Sequence, residues 1–115
     1  MQSIFYDSTY GFFIPVWYNE GDVSVRNRIL KVDISALDGN TSGYLTFSPN
    51  KTIVVNESSS NYKRFELESV ALININSQGN PMQPRIVFSA NTIRADNSHT
   101  YDEVVAISNS GYYLN

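Results

Sequence analysis

At 115 residues the chain is the size of one domain, large enough to bury a core without disulfides, and it has no cysteine with which to form one. Hydrophobic residues make up 42% and charged residues only 17%, and the polar remainder is mostly Ser, Asn and Thr, which suit turns and strand faces. The net charge of −3 disfavours a general affinity for nucleic acid or anionic membrane, and the missing thiols exclude thiolate catalysis and cysteine-based zinc sites.

The first segment, IFYDSTYGFFIPVWYNE, concentrates Phe5, Tyr6, Tyr10, Phe12, Phe13, Trp17 and Tyr18 around Pro15. On an extended chain Phe12, Ile14, Val16 and Tyr18 share one face, while Phe13, Pro15 and Trp17 take the other. Both faces are apolar. Pro15 cannot donate to a ladder, so it belongs on an edge, at a strand start or at a bulge. Residues 1–18 are therefore expected to form an aromatic edge strand or arm used in assembly. No basic region followed by an uninterrupted apolar run precedes it, so the chain is expected to work without export, in a virion or the cytoplasm.

DVSVR and ILKVDIS alternate next, with Leu30, Val32 and Ile34 on one side and Lys31, Asp33 and Ser35 on the other. YLTF and TIVVN are short β-rich runs joined by a turn at Pro49 and Asn50. YKRFELESVALININ fits either a helical or a strand period. Its β-branched end, and an alternation that slips by one residue around Ser69, favour strand. SQGNPMQP closes that run, RIVFSA and EVVAIS are further strands, and GYYL is expected as a terminal strand with Tyr112 and Tyr113 facing opposite ways. About eight to ten short strands with regular turn chemistry predict an all-β protein. The expected fold is a single-domain antiparallel β-sandwich over residues 1–115, jelly-roll-like or a related Greek key.

Few constellations suit catalysis. The only histidine, His99, lies in a polar loop between Asp96 and Asp102, and no nucleophile elbow accompanies it. Glu66 and Glu68 sit at i, i+2, about 7 Å apart by strand rise, but paired glycosidase carboxylates converge from separate elements. Asp38, Asn40, Ser42 and Gly43 match the first half of a calcium loop whose twelfth position is Pro49 rather than an acid, and residues 94–103 offer a second oxygen-rich loop. Arg26, Arg28 and Lys31 cluster in RNRILK without any nucleic-acid motif. No phosphate-cradling glycine pattern occurs. The expectation is no catalytic residue, no metal and no cofactor.

The aromatic excess at both chain ends points instead to partners. In composition and size the chain is similar in style to capsid-decorating, head-fibre and tail proteins of bacteriophage particles. The expected function is a non-enzymatic structural protein that binds itself as a homo-oligomer, or a larger scaffold such as a capsid. Its contacts would be Phe5, Tyr6, Tyr10, Phe12, Phe13, Trp17, Tyr18, Tyr112 and Tyr113. The alternative is a carbohydrate-binding module in which Trp17, Tyr18, Tyr10 or Tyr112 stacks on a glycan.

Overall fold

Side-chain alternation decides which rings of this chain meet one another and which face away. The computed structural model describes residues 3–16, 27–33, 35, 51–55, 62–96 and 100–114. Trp17, Tyr18, Arg26, His99 and the loop 38–43 lie outside these residues. Seven strands are described. β1 (Phe5–Asp7), β2 (Gly11–Val16), β3 (Arg28–Val32) and β4 (Lys51–Val54) form one antiparallel sheet in that order. β5 (Tyr62–Ile75), β6 (Pro81–Arg94) and β7 (Thr100–Ala106) form a second. The expected all-β, sandwich-like architecture is what the chain adopts, and the ambiguous run after Asn61 is strand throughout.

The two sheets share one core. Phe13, Ile29, Ile53 and Val55 from the first sheet pack with Leu67, Val70, Ile86, Phe88 and Ala90 from the second. Phe13, Ile29, Leu67 and Ile86 are sealed from solvent. Side chains also join the sheets: the Asn27 amide donates to Phe65 O at 2.8 Å, and Ser3 Oγ donates to Glu68 O at 3.2 Å.

Local chemistry fixes the hairpins. Asp7 Oδ1 accepts the Thr9 and Tyr10 amides at 2.8 and 3.0 Å, closing the β1–β2 turn. Gly11 follows with φ +95°, and a Cβ there would collide with the carbonyl oxygen of Val32. Between β5 and β6, Asn76 Oδ1 accepts the Gln78 and Asn80 amides, and Gly79 supplies the left-handed residue at φ +83°. β5 is one long strand whose register shifts between Leu67 and Ser69, where the sequence predicts its phase slip.

Three local expectations are corrected. GYYL is not a strand: β7 ends at Ala106, and Ser110–Leu114 forms a short helix, α1. Ser110 Oγ accepts the Ile86 amide and donates to Ile107 O, both at 2.7 Å, which anchors the turn onto β6. Helical spacing then carries Ser110, Tyr113 and Leu114 inward and leaves Tyr112 out. Tertiary packing therefore overrides the β preference of paired tyrosines.

β2 is not an edge strand. β1 lies outside it but reaches only from Gly11 to Phe13, so Pro15 has a described neighbour on the β3 side alone, opposite Ile29. A missing N–H is tolerated at such a position.

Lys31, expected on the polar side of β3, pairs directly with Phe13 and shares its inward face. Its side chain is 7% exposed, and its ammonium reaches Asp33 Oδ1 at 2.7 Å. The aliphatic stem covers apolar surface while the head finds a carboxylate.

Phe13→Ala should cost about 3–5 kcal/mol in guanidinium unfolding and Tyr6→Ala under about 1, since only Phe13 leaves a core cavity. Gly11→Ala should cost more than about 1 kcal/mol through backbone strain alone.

Candidate docking surface

The β1–β2 hairpin sorts its rings by register. Phe5 pairs with Phe13 and Tyr6 with Phe12. The Phe5 and Phe13 ring centroids lie 6.4 Å apart on the inner face, where Phe13 is a core residue and offers nothing to a partner. On the outer face the Tyr6 and Phe12 rings stand 5.2 Å apart, tilted by 42°. Tyr6 is 49% exposed at the sheet edge and Phe12 is half-buried beside it. Across the same outer face Phe12 meets Val32, which is buried, and Ile14 meets Leu30, both half-buried. The row behind the two rings is therefore apolar but largely covered, and Tyr6 is the ring of the pair more open to a partner.

Tyr10, Tyr112 and Tyr113 do not join this patch, and Trp17 and Tyr18 lie outside the described residues. Tyr10 packs against the core and lines a depression of about 310 Å³ with Asp7, Thr9, Leu72, Asn74 and Pro84. Tyr112, 76% exposed, and Tyr113, packed on the core, sit edge to face with centroids 5.3 Å apart. Lys51 of β4 donates to Tyr112 O at 2.8 Å and stands 5.5 Å from its ring centroid. β4 and β1 are opposite margins of the four-stranded sheet. The aromatic chain ends therefore form two separate surfaces.

The paired carboxylates also part company. Glu66 aligns with Asn91, whereas Glu68 falls in the register shift and lends its carbonyl to Ser3. Arg28 is half-buried and Lys31 points inward, so these two cations do not share an open face.

A polar cluster that the sequence did not single out closes the far end of the second sheet. Tyr62 donates its hydroxyl to Glu103 Oε2 at 2.9 Å, Arg94 forms an ion pair with Glu103, and the Arg94 guanidinium lies 4.7 Å from the Tyr62 ring centroid. Tyr62 and Arg94 are partners across β5 and β6. Only this cross-strand register brings them together, and no spacing in the sequence signals it. Burial first, then the hydrogen bond and charge of Glu103, raise the Tyr62 phenol above its usual ionisation range, against a smaller lowering by Arg94. Apolar residues in the DEVVAIS run were equally hidden: Val104 is 74% exposed and Val105 38%. Two adjacent valines that break the alternation are the signal that marks them.

Comparison with known protein families, characterised proteins and solved structures finds no match for this chain.

Because the folded phenol holds its proton more tightly than the unfolded one, this contribution to stability is complete below the unfolded value of about 10 and fades as pH rises through the folded value. Tyr62→Phe should cost about 1 kcal/mol at pH 8, and its difference from wild type should shrink as the pH is raised above about 10. A pH-independent difference between the two unfolding curves contradicts the assignment.

Proposed function

We propose that this chain is a non-enzymatic structural protein that acts by docking. The surface used is the outer side of the β1–β2 hairpin, and the partner is a larger protein scaffold or further copies of the chain. Within that class we read it as an accessory component of a bacteriophage particle, a capsid decoration, head fibre or tail protein. The observation that carries the reading is the Tyr6–Phe12 pair, an exposed ring backed by a half-buried one at the margin of an apolar sheet face. Large rings that lose little side-chain freedom are the residues from which binding hot spots are built. The three-residue β1 leaves this margin short, which favours contact through side chains over addition of a strand.

A second reading draws on the depression beside Tyr10. There an aromatic ring stands with Asp7, Thr9 and Asn74, the mixture of apolar face and hydrogen-bonding groups that holds a sugar. It makes the chain a carbohydrate-binding module. Asp7 Oδ1 is already engaged by two backbone amides, which weakens this reading relative to the first.

Co-expression with the products of the genes flanking its own, followed by sedimentation, tests the docking reading. The chain should travel with a large particle, and Tyr6→Ser should release it by tenfold or more while leaving the unfolding midpoint near that of wild type. A chain that stays at the top of the gradient, together with a saturable intrinsic-fluorescence shift from one polysaccharide in a panel, would transfer the assignment to glycan binding.

A further inference from the structure

The four outer strands of the two sheets are protected to very different degrees. β1 has three residues and β4 has four, with Lys51 at its start, and short or lysine-bearing margins resist pairing with other chains. The long β5 margin is engaged from within the molecule, because Asn27 and Ser3 take the carbonyls of Phe65 and Glu68. β7 is different. It runs seven residues from Thr100 to Ala106 without proline or lysine, and among the described residues no strand pairs with its outer side.

The register shows which groups that side presents. Ile107 N donates to Ile86 O at 2.8 Å, in phase with the β6–β7 pairs Phe88–Val105 and Ala90–Glu103. In an antiparallel ladder, residues alternate between bonding this neighbour and bonding the opposite side. Asp102, Val104 and Ala106 therefore aim their N–H and C=O groups away from β6, and Val104 is the most exposed large apolar side chain of the second sheet.

We propose that β7 is a self-pairing edge. Two copies of the chain join antiparallel about a twofold axis at Val104, merging their three-stranded sheets into one continuous sheet. The partner follows from charge and symmetry. Centring on Val104 sets Asp102 opposite Ala106 of the second copy and Glu103 opposite its Val105, so each carboxylate meets an apolar residue, and the outward groups form about six hydrogen bonds. An axis at Asp102 or Glu103 would oppose like charges. Glu103 is also already neutralised by Arg94 within its own copy. On the outer face the two Val104 side chains meet at the axis, each beside Ala106 of its own copy, and the Val104 row continues into each sheet through Ser89 and Ser69. This inference does not rest on the aromatic margin: it concerns the other sheet, and it holds or fails in the purified chain without any scaffold.

The test is sedimentation velocity of the purified full chain over a hundredfold concentration range, with amide hydrogen exchange at each end of that range. Wild type should shift from monomer to dimer, and the Asp102, Val104 and Ala106 amides should slow at least tenfold at high concentration. Val104→Pro removes an N–H that β6 does not use, so it should remain monomeric with an unchanged thermal midpoint, and Val104→Lys should behave alike. Tyr6→Ser should still dimerise. A wild type that is monomeric throughout overturns the proposal. So does a dimer that survives both Val104 variants, or one that is lost only on Tyr6→Ser. Should a Val104 variant fail to fold, the wild-type exchange pattern decides: unchanged Val104 and Ala106 amides across the concentration range overturn it.

Discussion

Phe13 is the residue on which the arrangement turns. Its ring is fully buried between the sheets, against Phe5 in its own sheet and among Leu67, Ile86 and Phe88 of the other. A strand has a period of two, so fixing one side chain fixes its neighbours. With Phe13 inward, Phe12 and Ile14 must face away, and the cross-strand register places Tyr6 over Phe12. The core and the proposed docking surface are thus two faces of one six-residue strand. A slip of one residue would exchange them.

The same coupling explains the polar contacts between the sheets. Inward residues of β3 include Lys31 as well as Ile29, and a charge so placed is tolerable because Asp33, two residues along, lies within reach. At one end of the sandwich Asn27 joins β3 to β5, and at another Ser3 reaches the irregular point of β5 at Glu68. These donors meet carbonyls that a free sheet margin would leave to solvent or to another chain. Their presence along β5 engages one margin of the second sheet from within, while β7, at its other margin, pairs with no further strand among the described residues.

Much of the architecture was legible in the chain itself. Alternation in RFELE and ALININ, with its slip near Ser69, gave strand where a helix also fitted, and the register of β5 shifts at that point. SQGNPMQP marked the β5–β6 turn, whereas residues 1–18, expected as one edge strand or arm, fold back at Asp7–Gly11 into the β1–β2 hairpin. The faces were harder. ILKVDIS alternates cleanly, yet both of its sides are largely covered, so periodicity showed the period without showing which side meets the other sheet. GYYL has strand-forming residues and forms a helix, because Ser110 and Leu114 are held by β6 and by the core. The Tyr62–Glu103–Arg94 cluster depends on strand register, which no local pattern encodes. The aromatic excess expected as partner surface at both chain ends is divided, among the described residues, between core, hairpin margin and α1.

The division of the aromatic segment into a buried and an outward set is the centre of this account, and fluorine NMR on chain labelled with fluorophenylalanine measures it most directly. Under a soluble paramagnetic quencher, the Phe13 resonance should stay sharp while that of Phe12 broadens, and Phe12 should regain its sharpness when a partner covers the hairpin. Equal broadening of the two resonances would mean that β2 does not divide its rings between core and surface, and the account would fail at its root.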